Sequence, residues 1–247
     1  MDHTAALYNL LAAELNCNPD IFRQGGLHIT EAKCSTGKRK YVPDKPFFQM
    51  CTTGACTVIS ADSRLMDFLS RFTAGMPPYK LFQYPRLKRL EAELAWYGYE
   101  LGETAHMYLL HDTPAPQGSL PVQWYHDREI DRFYGDPRFR HAICPRYLPE
   151  RPDTIAVCAV DGDEILGMAG CSRDAEGWEQ IGIDVLPEHR GKGIAPYLVA
   201  LLRDEILRRG EIPFYGTAGA NIASQHVARK CGFYPVWVEL WAERQED

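Results

Sequence analysis

The sequence has no apolar run close to the roughly 20 residues that span a bilayer. Its start, Met1-Asp2-His3-Thr4, has neither the basic segment nor the apolar core of a signal peptide. These two absences predict a cytoplasmic protein that does not bind membranes. The eight cysteines include no CxxC pair, and in a chain of this length we interpret them as reduced thiols that fill the core.

An excess of basic charge is also missing. The chain has 27 basic and 33 acidic residues and a formal net charge of -6, which predicts no binding to nucleic acid. The first 105 residues contain 12 basic and 11 acidic residues, whereas residues 106–247 contain 15 and 22. The acidic second part favours cationic ligands. With 45% hydrophobic and 24% charged residues, the 247-residue chain is typical of a folded protein with one large or two small domains.

Residues 1–104 are predicted to form an α/β region. Leucines at helical spacing predict a helix over Ala5–Leu15. The stretch Arg23–Pro46 is basic and glycine-rich, and we interpret it as a solvated loop around one short strand. A strand from Phe47 to Ser60 should run into a helix that starts near Asp62, and a second helix is expected over Pro85–Tyr97.

Residues 105–247 are predicted to form a second domain. Ala105–Leu110 either closes the first region or is the opening strand of this domain, and the second assignment is favoured. Helices over Asp127–Tyr134 and Arg138–Ile143 follow. From Thr154 onward the pattern predicts three strands, a helix, a strand, a helix and a last strand, with a hairpin turn at Asp161-Gly162. This order describes an α/β sandwich with a mixed sheet.

The third of these strands leads into a helix through Arg190-Gly-Lys-Gly193-Ile-Ala195. Unpaired N–H groups and the positive end of the helix dipole meet at such a junction, which suits an anion such as a pyrophosphate. Gly191 and Gly193 let the backbone approach the phosphates closely, while Arg190 and Lys192 add positive charge.

Three motifs over about residues 153–241 resemble the acyl-CoA-binding motifs of the GNAT N-acetyltransferase superfamily. They are Arg190-x-x-Gly193-x-Ala195, Asn221-x-x-Ser224 and Gly232-Phe233. The resemblance implies a mixed, mostly antiparallel sheet flanked by helices in residues 105–247, with acetyl-CoA as acyl donor. Residues 1–104 would then be either a degenerate half-copy of this fold or a wall of the acceptor site.

The resemblance also implies cofactor-binding residues. The backbone of Ile183 and Val185 would bind the pantetheine arm, and Asn221 and Ser224 would meet the CoA arm from the following helix. The pyrophosphate would be held by the amides of Arg190, Gly191, Lys192, Gly193, Ile194 and Ala195. The thioester would reach the amine between diverging strands near Asp184 and Phe214, where the Val185 N–H is the candidate oxyanion donor.

Glu179 is the first candidate for the general base that deprotonates the amine. It lies eleven residues before Arg190, where the histone-modifying members of the family place their glutamate base. Strand alternation puts Glu179 on the face of Ile181 and Ile183, so this role requires a bulge or a position at the strand mouth. The alternative is an exposed carboxylate at the start of the strand.

The position of the family's usual tyrosine acid is occupied by Ala228. Tyr234 is the predicted substitute, and Tyr215 is the alternative. Either tyrosine could instead pack in the core.

The predicted function is transfer of an acetyl group from acetyl-CoA to a primary amine by direct attack on the thioester. The expected acceptor is a small amine or amino-acid derivative, with a protein N-terminus as the alternative. A non-catalytic acyl-CoA-binding sensor is the alternative function. The histidines lack the spacing of metal ligands, so no metal is predicted.

Overall fold

The structure is a computed structural model that describes residues 3–245. The helices are α1 (Thr4–Leu15), α2 (Ile21–Gln24), α3 (Met66–Thr73), α4 (Tyr84–Ala95), α5 (Ile194–Arg208) and α6 (Ile222–Lys230). The strands are β1 (Gly26–Glu31), β2 (Phe48–Thr52), β3 (Cys56–Ala61), β4 (Tyr99–Leu101), β5 (Ala105–Leu110), β6 (Val122–His126), β7 (Asp153–Asp161), β8 (Glu164–Ala175), β9 (Trp178–Val185), β10 (Ile212–Ala218) and β11 (Phe233–Arg244). Short 3₁₀ segments cover Ser63–Leu65, Pro78–Phe82, Asp127–Phe133, Pro137–Phe139 and Pro187–His189.

The chain divides into two compact units. The central unit contains Tyr108–Tyr234, and the flanking unit contains Thr4–Met107 together with residues 235–245. The predicted boundary between residues 104 and 105 lies close to the start of the central unit. Residues after Tyr234 group with the flanking unit rather than with the second domain in which the sequence analysis placed them.

The central unit contains a mixed, mostly antiparallel sheet, as the sequence analysis predicted. Its strand order is β5-β10-β9-β8-β7-β6. The pairs β6–β7, β7–β8 and β8–β9 are antiparallel, and β9–β10 is parallel. Helix α5 packs on this sheet through fully buried apolar side chains, Leu198, Val199, Leu202 and Ile206. Burying each such side chain contributes about 1.5–3 kcal/mol, so this face anchors the start of α5 against the sheet.

Ala105–Leu110 forms strand β5, and its place as the opening strand of the second domain stays a prediction. The strand that pairs with β7 at the sheet edge is β6, which the sequence analysis did not predict, and β5 lies next to β10 instead. The predicted helix over Asp127–Tyr134 is a 3₁₀ segment. Over Arg138–Ile143 only a 3₁₀ turn forms, because the Asp184 carboxylate accepts the N–H groups of His141 and Ala142.

The strands of the flanking unit follow the order β1-β3-β2-β11, with β4 paired to β11. β1 and β3 are parallel, whereas β2 is antiparallel to both β3 and β11. The single strand predicted over Phe47–Ser60 is a hairpin of β2 and β3, and every residue of both strands is buried. The helix predicted near Asp62 begins with that side chain accepting a hydrogen bond from the Arg64 N–H at 3.0 Å. The half-copy interpretation of this region stays a prediction.

The stretch that contains Arg39 is not simply a solvated loop. The Arg39 side chain is only 1% exposed and lies between two carboxylates. Its Nη2 donates to Glu14 at 2.6 Å and to Glu239 at 2.6 Å, and Trp237 Nε1 donates to Glu239 at 2.7 Å. Burial raises the pKa of Glu239. One buried cation therefore compensates two buried carboxylates from distant parts of the chain.

All eight cysteines are free thiols, as predicted. Six are buried, Cys17 is half-buried and Cys34 is exposed. No helix within residues 3–245 is long and apolar enough to cross a membrane.

Candidate active site

A gap between β9 and β10 forms the centre of the candidate site. Their parallel pairing begins at Trp178 opposite Ile212 and ends at Ile181 opposite Tyr215. Beyond that point each strand continues without the other. A cavity of about 820 Å³ occupies this region and is lined by residues 140–145, 180–185 and 215–218 among others. This volume lies within the range of about 300–1,000 Å³ that is usual for small-molecule sites.

The backbone of β9 presents polar groups to this gap. The Leu186 N–H donates to the Leu166 carbonyl at 3.0 Å, on the β8 side. Because successive residues of a strand direct their N–H groups to alternate edges, those of Ile183 and Val185 point toward β10. Both residues line the cavity, where β10 no longer pairs with them. They can donate to a ligand in the gap.

The start of α5 has the backbone features of an anion-binding site. Gly191 and Gly193 have φ angles of 75° and 81°, and no side chain caps the helix. Within residues 3–245, the N–H groups of residues 191–195 donate to no backbone carbonyl. Helix dipole and free N–H groups together fit a pyrophosphate. Arg190 and Ala195, at the two ends of this loop, line the cavity, so the anion site joins the gap.

The N-terminus of α6 lies on the same cavity. Asn221 caps the helix by accepting the Ser224 N–H at 3.1 Å, and the Ser224 hydroxyl lies 2.9 Å from that of Tyr215. All three residues line the cavity. Burial raises the pKa of Tyr215 to about 12. The phenol is therefore protonated at neutral pH and can donate a hydrogen bond.

The segment His141–Ile143 lies directly on the sheet. Gly170 and Gly182 face each other across β8 and β9. A Cβ at Gly182 would lie 1.9 Å from the His141 carbonyl oxygen, and one at Gly170 would lie 2.4 Å from that of Ala142. Any side chain at either glycine would therefore push this segment off the sheet.

Asp184 fixes the same segment from the side. Its Oδ2 accepts the N–H groups of His141 at 2.7 Å and of Ala142 at 3.0 Å, and its Oδ1 lies 2.7 Å from His141 Nδ1. Both side chains line the cavity. Sequence reasoning placed Asp184 at the gap between the strands but missed its contact with His141, because these residues are 43 positions apart and no local motif joins them.

The structure does not bring Glu179 to the cavity. Its side chain is fully buried, and its carboxylate accepts from Thr154 Oγ1 at 2.8 Å and Arg173 Nε at 3.1 Å. It lies on the β9 face of Ile181, opposite the face of Gln180 and Asp184, and no bulge in β9 changes this alternation. Burial raises the pKa of the Glu179 carboxyl from 4.5 to about 7. Glu179 is therefore not the exposed carboxylate of the alternative, and its role as general base stays a prediction.

Glu179→Gln should flatten the pH dependence of stability between pH 4.5 and 7. Because the folded-state pKa is raised, the carboxyl contributes stability that is complete below pH 4.5 and is lost as the pH rises through about 7. The shift corresponds to roughly 3 kcal/mol. Thermal denaturation across this pH range measures the effect. Glu205→Gln is the control, because its pKa is lowered to about 2 and its contribution is lost on acidification instead. Equal pH profiles for wild type and Glu179→Gln would contradict the expectation.

Tyr234 also lies away from the cavity lining. It is 39% exposed, with its ring 5.3 Å from that of His111 and Arg229 5.9 Å from its ring centre. Its predicted role as acid stays a prediction. The prediction of no metal likewise stays a prediction. In the described part of the chain, ligand atoms of Glu164, Glu188 and His189 lie within 4.8 Å of one another, and both glutamates are exposed.

The model of the acetyltransferase (GNAT) family matches residues 121–233. This segment lies inside the central unit and contains the gap, the α5 anion site and α6. The chain therefore contains a GNAT acetyltransferase domain over these residues. No curated protein matches the chain.

Several solved structures are similar to this chain, and the first of those described here shows the same fold. A GCN5-related N-acetyltransferase-like protein from Streptococcus suis is 13% identical, with a TM-score of 0.50 over 96% of this chain and 99% of its own. An acetyltransferase of the GNAT family from Colwellia psychrerythraea is 12% identical, with a TM-score of 0.47 over 98% and 96%. A Salmonella typhimurium protein solved with its cofactor acetyl-CoA is 14% identical, with a TM-score of 0.36 over 51% and 94%.

Proposed function

We propose that this protein transfers an acetyl group from acetyl-CoA to the nitrogen of a small primary amine. The observation that carries the proposal is one continuous cavity, lined by the β9 edge, the β10 edge and both ends of the α5 anion loop. One end suits a pyrophosphate and the middle offers free backbone donors. A thioester placed between them would reach an amine on the side of His141 and Asp184.

The residues of this chain have distinct roles in the proposed reaction. The N–H groups of residues 191–195 hold the pyrophosphate, and Ile183 binds the pantetheine arm. Val185 N–H stabilises the oxyanion that develops on the carbonyl, an effect for which one well-placed donor is worth about 10²–10³-fold in rate. The Tyr215 hydroxyl donates a hydrogen bond to the departing thiolate. Asp184 favours a cationic acceptor by its charge.

The acceptor site favours a small amine over a protein N-terminus. The segment His141–Ile143 covers the sheet directly at Gly170 and Gly182, which narrows the approach from that side. The amine arrives protonated, so Asp184 can attract it electrostatically before a proton is removed. Amino-acid derivatives and small polyamines share this chemistry.

Two measurements test the proposal. The first is the thermal shift of the purified chain with acetyl-CoA, where a concentration 100 times the Kd should add about 2.7 kcal/mol to the stability. The second is release of CoA thiol in the presence of a panel of small amines, with a peptide bearing a free N-terminus as the competing acceptor. We expect a shift with acetyl-CoA and thiol release that depends on a small amine.

The outcomes separate the alternatives. A thermal shift with no amine-dependent thiol release would favour the acyl-CoA sensor over the enzyme. Thiol release only with the peptide would make a protein N-terminus the acceptor. No thermal shift at millimolar acetyl-CoA would contradict acyl-CoA binding and, with it, both functions.

A further inference from the structure

We propose that His141 is the general base of the acetyl transfer and that Asp184 is its positioning residue. The inference rests on the proposed function and adds to it the group that removes the proton from the amine. It assigns this step to a pair on the acceptor side of the gap, in place of the buried Glu179.

Asp184 holds the imidazole of His141 in place. The His141 backbone N–H and its ring Nδ1 both contact the Asp184 carboxylate, at 2.7 Å each. Asp184 is held in turn by its strand, since it lies on β9 opposite Met168 of β8. The residue is thus held at its backbone N–H and at its ring Nδ1, so the imidazole can rotate only if the carboxylate moves.

The contact with Asp184 determines which ring nitrogen of His141 is basic. A carboxylate can only accept a hydrogen bond, so the neutral imidazole next to it carries its proton on Nδ1. Nε2 is then the lone-pair nitrogen. It lies on the far side of the ring from Asp184, and the His141 side chain is 64% exposed whereas that of Asp184 is 13% exposed. Nε2 is therefore available to an amine in the cavity that both residues line.

The proposed acetyl transfer balances in protons and electrons. Nε2 of His141 takes one proton from the ammonium group, and the freed nitrogen lone pair forms a bond to the acetyl carbon while the C=O electron pair moves onto oxygen. As the carbonyl reforms, the C–S bond breaks and its electron pair leaves with sulfur. The second nitrogen proton neutralises the thiolate, the third remains in the amide, and His141 returns its proton to solvent.

Variants of both residues test the proposal. His141→Gln should lower kcat/KM for the amine by about 10²–10⁴-fold while leaving the affinity for acetyl-CoA unchanged. Asp184→Asn is the sharper variant, because its amide oxygen can still accept the two backbone N–H groups while its NH₂ faces Nδ1. That arrangement moves the ring proton to Nε2 and removes the basic lone pair, and in Ser-His-Asp triads the same substitution costs about 10⁴-fold.

The control for loss of a histidine in the same unit is His226→Gln. His226 is exposed on α6 and does not line the cavity. Its substitution should leave kcat/KM within about twofold of wild type. A fall of kcat/KM in His141→Gln by less than about threefold, or a parallel loss of acetyl-CoA affinity, would overturn the proposal.

A second readout does not need turnover. Nitrogen-15 NMR of the neutral histidine rings reports which nitrogen carries the proton, and the His141 signals are those that disappear in His141→Gln. We expect the proton on Nδ1 in wild type and on Nε2 in Asp184→Asn. A proton on Nε2 in wild type overturns the proposal whether or not an acceptor is known. The expected tautomer in a protein that binds acetyl-CoA but acetylates no amine would overturn the proposed function and the base role, and leave the Asp184–His141 geometry intact.

Discussion

Gly193→Asp should weaken acetyl-CoA binding by at least about 100-fold, which corresponds to about 2.8 kcal/mol. Two causes add. Gly193 has a φ of 81°, and holding a residue with a side chain in that region costs roughly 1–3 kcal/mol. The new carboxylate would also stand at the helix N-terminus and compete there with the pyrophosphate for free N–H groups. Thermal shift or isothermal titration with acetyl-CoA measures the loss.

Gly177→Asp is the matched control for this variant. Gly177 also has a positive φ, 75°, and an added Cβ meets nothing within 4 Å at either glycine. It lies in the turn between β8 and β9 and does not line the cavity. Gly177→Asp introduces similar backbone strain and the same charge, but away from the cavity. Its affinity for acetyl-CoA should therefore stay close to wild type. Wild-type affinity in Gly193→Asp would place the pyrophosphate elsewhere.

Arg39→Met should destabilise the protein by about 3–5 kcal/mol, because it leaves two buried carboxylates without their cation. Glu14 and Glu239 side chains are each 4% exposed, and both accept from the Arg39 guanidinium. For a chain of this length the expected fall in Tm is about 6–20 °C. Thermal denaturation followed by circular dichroism measures it.

The control for Arg39→Met is Arg64→Met. The Arg64 side chain is 58% exposed in its ion pair with Asp62, which lies in the same unit. Exposed pairs contribute little because water and salt screen them, so the Tm of this variant should stay close to wild type. Equal Tm values for the two variants would show that burial of the Arg39 pairs does not matter for stability.

Local sequence signals predicted much of the central unit correctly. The hairpin at Asp161-Gly162, the strand before Arg190, and the helices α5 and α6 follow from apolar periodicity and from glycine positions, which act within a few residues. β6 was missed because its burial alternates only weakly, and nothing in Val122–His126 marks it as the partner of β7. Pairing across about 30 residues of intervening chain is a tertiary property that periodicity does not encode.

The candidate site shows the same division. The anion loop was predicted because its chemistry lies in consecutive residues, 190–195. The contact between His141 and Asp184 is made by residues 43 positions apart, and the partners of Arg39 are 25 and 200 positions away. Strand alternation did indicate that Glu179 faces away from Asp184. The structure keeps this alternation in β9, because the register shift beside Glu179 lies at Arg173/Ala175 of β8.

Gly170 and Gly182, which face each other across β8 and β9, limit which parts of the proposed acceptor site can change during evolution. His141 and Ala142 meet the sheet through their backbone carbonyls, so both glycines are needed whatever the substrate. Pro145 and Leu148 line the cavity beyond that contact. If the proposed acetyl transfer is correct, substitutions there would change which amines fit and leave His141 and Asp184 in place. Selection for a new acceptor would therefore act on Cys144, Pro145 and Leu148 and leave Gly170 and Gly182 unchanged.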